Sequence, residues 1–90
     1  MESIQQIKKY INDNELEKAT GLLKERVLVN PKDDEAFFLL GNIYRKQSNW
    51  KPAIECYLTA LDINPNSPAR QAHEMVMEIL SFNNPDLYNP

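Results

Sequence analysis

The sequence predicts an all-α chain, two helical hairpins stacked side by side and closed by one further helix, and three observations predict it. Apolar residues recur at helical spacing in five separate stretches. Asn30-Pro31, Asn64-Pro65 and Ser67-Pro68 stand between those stretches, where a helix must stop or start. The chain also aligns with itself when slid by thirty-four residues: Tyr10 meets Tyr44, Leu16 meets Trp50, Ala19 meets Ala53, Leu23 meets Tyr57, Asn30 meets Asn64 and Pro31 meets Pro65.

The first helix is expected over Ser3 to Ile11, with Ile4, Ile7, Tyr10 and Ile11 on one face. Asn12-Asp13-Asn14 ends it, because these side chains compete for backbone partners and tolerate left-handed backbone. Asn14 with Glu17 has the spacing of a capping box for a second helix, which carries Leu16, Ala19, Leu23, Val27 and Leu28 to about Val29. Asp33-Asp34-Glu35 supplies a cap and a negative first turn to a third helix, Asp34 to Gln47, holding Phe37, Phe38, Leu40, Ile43 and Tyr44. Three consecutive side chains at a helix start do not converge on one ion, so the triplet reads as a cap and not as a metal site.

Ser48-Asn49 turns the chain, and Pro52 is tolerated in the first turn of a fourth helix, where its missing N–H has no intrahelical acceptor. That helix carries Ala53, Ile54, Tyr57, Leu58, Ala60 and Leu61 and ends at Asn64-Pro65. Ser67-Pro68 opens a fifth helix with an apolar stripe of Ala69, Ala72, Val76, Ile79 and Leu80. The expected organisation is one domain over residues 1–82, made of repeats at about 1–33 and 34–67 and a closing helix at about 68–82, followed by an irregular tail at 83–90.

Composition bounds the function. Ninety residues allow one thin core. A formal charge of −3 with scattered Lys and Arg argues against nucleic acid, which needs cations clustered on one face. No apolar run approaches the roughly 20 residues that span a bilayer, and residues 1–11 lack the pattern of a secretory signal. With one cysteine, no internal disulfide can form, and a cytoplasmic location is the expectation.

A single histidine, His73, and a single cysteine, Cys56, leave no triad or zinc ligand set, and Gly21 and Gly41 stand singly inside helices, with no phosphate loop. An enzyme is therefore not expected, nor a cofactor. His73 reads as a solvated or partner-facing side chain, Cys56 as a small packing residue, and Arg45, Lys46 and Lys51 as a solvated turn. Phe37, Tyr44, Trp50 and Tyr57 read as packing at repeat spacing, not as a ligand cage.

Phe37, Leu40, Gly41, Tyr44, Ala53, Tyr57, Ala60 and Pro65 together resemble the tetratricopeptide repeat family, whose period is 34. Phe37 stands where that family usually has Trp, and Tyr57 where it has Phe. The resemblance runs from about Ser3 to Ile79. It is weaker in the first repeat, where Ile7 replaces the glycine and Arg26 the small residue facing the next helix. In the fifth helix Gln71, Glu74, Met75 and Glu78 hold the family positions, which suits a capping helix.

The resemblance implies a right-handed helical stack that binds a protein or peptide segment in a concave groove lined by the first, third and fifth helices. By the family's geometry the groove would present Ile4 and Lys8, then Phe38, Asn42 and Arg45, then Ala69, Ala72, His73 and Val76, with Phe38 as apolar anchor and Asn42 and Arg45 as polar contacts. Asn42 matches the asparagine that many members use to hold a peptide. The Lys and Arg of the chaperone-type carboxylate clamp are absent, with Ile4, Phe38 and Ala72 at comparable places. The partner is unidentified, and the chain is expected to be a monomer or a weak homodimer. The tail carries Phe82, Leu87 and Tyr88 and is expected to fold back and shield the fifth helix, the alternative being that Leu87 and Tyr88 dock into an apolar groove, their own or a neighbour's.

Overall fold

The computed structural model describes residues 2–83, the side chains of 82 and 83 excepted. The tail from residue 84 onward, with Leu87 and Tyr88, lies outside the described residues. Five helices run in order: α1 (Ile4–Asn12), α2 (Leu16–Val29), α3 (Asp34–Lys46), α4 (Trp50–Ile63) and α5 (Ala69–Asn83). Each packs on the next. Among the described residues α1 also touches α3 and α3 touches α5, while the α2 and α4 backbones stay apart, so the odd-numbered helices form the inner side of the stack.

The turns repeat with the sequence. At the end of α1, Asn14 adopts φ 64°, and at the end of α3, Ser48 adopts φ 57°. The Asn14 and Glu15 amides donate to the Ile11 and Tyr10 carbonyls, and the Ser48 and Asn49 amides to those of Arg45 and Tyr44. Both ends are thus Schellman motifs, with a residue other than glycine in the left-handed position. Asn14 is therefore part of the stop and not the start that the capping-box spacing predicts. The α2 N-cap is Glu15, which makes no side-chain cap hydrogen bond.

Before the prolines, Asn30 (φ −135°, ψ 92°) and Asn64 (φ −137°, ψ 100°) are pushed to extended backbone. Each also accepts at Oδ1 from the amide two residues on, at 3.1 Å from Lys32 and 3.0 Å from Asn66. Asp33 caps α3 by accepting from the Ala36 amide at 3.1 Å, as its sequence position predicts. Buried Ser67 Oγ accepts from the Ala69 amide at 3.1 Å and so caps α5.

The core has two parts. Ile7, Ile11, Ala19, Leu23, Ala36, Leu39, Leu40 and Ile43 form one cluster, and Ala53, Tyr57, Ala60, Ala69, Ala72, Val76 and Leu80 the other. Half-buried Phe38 and Tyr44 pack against both and join them. Three residues expected at apolar helical positions lie outside the core: Leu28 is 82% exposed, Leu58 48% and Ile79 37%. Leu28 falls in the last turn of α2.

Gly41 leaves no room for a side chain of its own. A Cβ there would lie 2.5 Å from Cε1 and 2.6 Å from Cδ1 of the fully buried Tyr57. In the first repeat the bulk is exchanged: Ile7 takes the glycine place and Leu23 the tyrosine place, and both are fully buried. The bulk is divided between the two helices instead of being concentrated on one. The small residue missing at Arg26 is likewise replaced by a polar tie, since Arg26 Nη2 and Nε each lie 3.2 Å from Asp33 Oδ2.

Gly41→Ala should therefore lower stability by about 1–3 kcal/mol through overpacking, and Tyr57→Leu in the same chain should recover part of the loss. Gly21 has open space around its Cα, so Gly21→Ala should raise stability by about 0.5–1 kcal/mol. Thermal unfolding reads both, at about 4–8 °C per kcal/mol for a domain of this size. Ser48→Gly should add about 1 kcal/mol by relieving left-handed strain, and Asn14→Gly less, because asparagine tolerates that region; denaturant midpoints measure the difference.

Candidate functional site

The inner face is shaped by residues that the repeat brings into register. A cavity of about 240 Å³ between α1 and α3 is lined by Lys8, Ile11, Asn12, Leu39, Asn42, Arg45 and Lys46. Six of these form three pairs thirty-four residues apart: Lys8 with Asn42, Ile11 with Arg45, and Asn12 with Lys46. A second cavity of about 350 Å³ adjoins it and is lined by Lys8, Asp34, Glu35, Phe38, Ser67 and Pro68. Lys8 belongs to both. Its Nζ lies 3.0 Å from Glu35 Oε2, in a pair whose side chains are 39% and 48% exposed.

Beneath this face sits Tyr57. Its hydroxyl donates to Asn42 Oδ1 at 2.6 Å, and its ring centroid lies 6.2 Å from that of Phe38. Asn42 is thus oriented from below: with its oxygen occupied by Tyr57, it has its amide hydrogens to offer a ligand. Burial raises the Tyr57 hydroxyl pKa above the ordinary 10.0, with Arg45 nearby acting in the opposite direction.

Of the expected groove residues, the structure brings Lys8, Phe38, Asn42 and Arg45 to the two cavities. Ile4 is half-buried against the first core cluster and lines neither. The α5 set differs from the expectation. Val76 is fully buried, and Ala69 and Ala72 are buried with it in the second cluster, so these three pack and offer a ligand little or nothing. His73 is half-buried, and its Nε2 is buried without a hydrogen-bond partner among the described residues.

The reason is a change of register. Buried Ala36, Leu39 and Ile43 of α3 recur as buried Ala69, Ala72 and Val76 of α5, thirty-three residues on instead of thirty-four. One residue turns a helix by about 100°. What α5 gives the inner face is its start, Ser67 and Pro68. Asn12, Lys46 and Glu35 are lining residues outside the expected set, as are Ile11, Asp34, Leu39, Ser67 and Pro68. The first two were legible as a pair at repeat spacing, whereas Glu35 was accounted for as a helix-start charge.

Cys56 is half-buried, packs against the first cluster and has its thiol pushed up to about 11, first by burial and then by Glu55, with Lys24 opposing. Among the described residues no group of His, Cys, Asp and Glu could hold a metal ion, and no helix is long and apolar enough to cross a membrane.

The tetratricopeptide repeat model matches residues 34–67, the hairpin of α3 and α4 with the turn that follows. The solution NMR structure of protein BF1650 of Bacteroides fragilis is similar at 44% identity, with a TM-score of 0.90, over 99% of this chain and 91% of that one. None of the curated proteins compared matches the chain. The chain belongs to the tetratricopeptide repeat family. Tetratricopeptide repeats are in general protein-interaction modules. In this one, the glycine, aromatic and alanine positions that define the repeat are the residues behind the inner face.

Cys56 and Tyr57 both hold their protons more tightly in the folded chain than in the unfolded one. The stability they contribute is complete below the ordinary thiol value of 9.0 and declines as pH rises through about 11. Denaturant unfolding between those limits should show falling stability, with a shallower fall in Cys56→Ala. At pH 8 the folded chain should alkylate more slowly with iodoacetamide than the urea-unfolded chain.

Proposed function

We propose that this tetratricopeptide domain is a non-enzymatic interaction module, working without a cofactor, that takes a peptide or protein segment along the α1–α3 face. One observation carries the reading: two adjoining cavities on the inner side of the stack meet at Lys8 and combine apolar surface from Phe38, Ile11 and Leu39 with polar groups from Asn42 and Arg45. Apolar floors with a few oriented polar groups are what segment-binding sites use. Protein is favoured over nucleic acid or membrane because the chain is acidic overall. A cytoplasmic location belongs to the same reading.

A second reading, self-association, is favoured by Leu28 and Val29, adjacent at the end of α2 and exposed by 82% and 73%. Light scattering across a concentration series separates the two. A mass that stays near 10.5 kDa supports the groove, and a stable doubling supports the dimer.

The groove reading is tested by partner capture with Lys8→Ala/Arg45→Ala. Phe38 and Asn42 both contact Tyr57, so their removal would loosen the core as well as the face. Lys8 and Arg45 line the cavity and belong to neither core cluster, and the double variant should keep its melting temperature within a few degrees while losing captured partners. Capture unchanged in that variant would remove the groove.

A further inference from the structure

The outer side of α2 carries two features that the fold does not use. Leu28 and Val29, at 82% and 73%, are the most exposed large hydrophobic side chains among the described residues. Gly21 stands in the middle of the same helix, where glycine is costly, and a Cβ there would meet nothing within 4 Å. No turn and no close contact within the chain requires it. At about 100° per residue, Glu17, Lys18, Gly21, Lys24, Glu25 and Leu28 share one side of α2 within an arc of about 120°, and all six are exposed. The second repeat differs at the two places that matter. Thirty-four residues on, Gly21 becomes Glu55 and Leu28 becomes Asp62, ordinary residues for a helix side that meets water.

We infer that this side of α2 pairs with the same side of α2 in a second copy of the chain, the two helices antiparallel about a two-fold axis, with Leu28 of each copy seated on the bare backbone at Gly21 of the other. This rests on the self-association reading above and names its face. A two-fold interface must be complementary to itself, and α2 has the charges for it. In an antiparallel pair centred at the level of Leu22 and Leu23, Lys18 of each copy lies beside Glu25 of the other, so the attraction is made twice. Lys18 is already held at the edge of the face next to α1, its Nζ 4.3 Å from the centroid of the Tyr10 ring. Leu28 lies across from Glu17 of the second copy, and because a helical side chain leans toward its own N-terminus, it reaches Gly21. The stem of Lys24 runs along the same bare stretch with its ammonium in water. One helix of 14 residues offers less than the roughly 1,200 Å² of a standard stable interface. The dimer is therefore weak and fills with concentration.

Sedimentation velocity of the whole chain, from low micromolar to millimolar concentration, reads the pairing. The expected result is a mass that climbs from 10.5 kDa toward twice that value. Gly21→Glu and Leu28→Asp, which place the second repeat's residues on the first, should each weaken association about tenfold or more. Gly21→Glu should at the same time raise the melting temperature at low concentration, because glutamate is the better helix former. Lys18→Glu should weaken pairing several-fold by repulsion from Glu25, and Lys18→Glu/Glu25→Lys should restore it. Leu58→Asp, at a leucine of α4 that is 48% exposed, should leave it unchanged.

A dimer that forms equally well in Gly21→Glu and Leu28→Asp would overturn the α2 face and leave self-association standing. Failure of the charge exchange to restore pairing would overturn the antiparallel arrangement. A mass fixed at 10.5 kDa up to millimolar concentration would overturn the face and self-association together.

Discussion

Tyr57 is the side chain on which the arrangement depends. It is fully buried between α3 and α4, leaves no space for a Cβ at Gly41, stacks at an angle on Phe38 and donates its hydroxyl to Asn42. A ring this large can be enclosed only if the facing helix presents bare backbone, and once enclosed it brings α3 and α4 into close approach. The same ring then decides how Phe38 and Asn42 meet solvent. Packing and the candidate binding face are two sides of one contact, so the core cannot be altered at this point without moving the groove.

The first repeat reaches the same fold by other means. Ile7 and Leu23 divide the volume that Gly41 and Tyr57 concentrate in one residue, and Arg26 on Asp33 takes the place of a small-residue contact at the next junction. Asp33 serves twice there, with Oδ2 on the guanidinium and Oδ1 on the Ala36 amide. A polar link at that junction is consistent with a thin core, because a short chain has few large apolar residues to spend on every interface.

Curvature follows from which helices touch. The odd-numbered helices are in contact along the inner side, and their equivalent positions converge, which is why three pairs at repeat spacing line one cavity. The closing helix departs from that rule. Its apolar stripe is displaced by one residue relative to the repeat, so the residues that family alignment would aim at the groove are turned into the core. The inner face is accordingly built from two helices and the start of a third.

The sequence by itself determined the five helices, their stops at Asn-Pro and the Asp33 cap, because these rest on backbone chemistry and local spacing that residue types declare directly. A third of the residues lining the candidate face, Lys8, Phe38, Asn42 and Arg45, was legible for the same reason, since a helical period fixes which side chains share a side. Only the tertiary structure decided the rest. Asn14 lies at a stop instead of a start because which of two adjoining helices claims a turn depends on the carbonyls left open by the first. The side that α5 presents was fixed by its packing on α4, where a one-residue slip reverses the fate of Ala72 and Val76, and spacing within a single helix carries no information on its rotation against a neighbour.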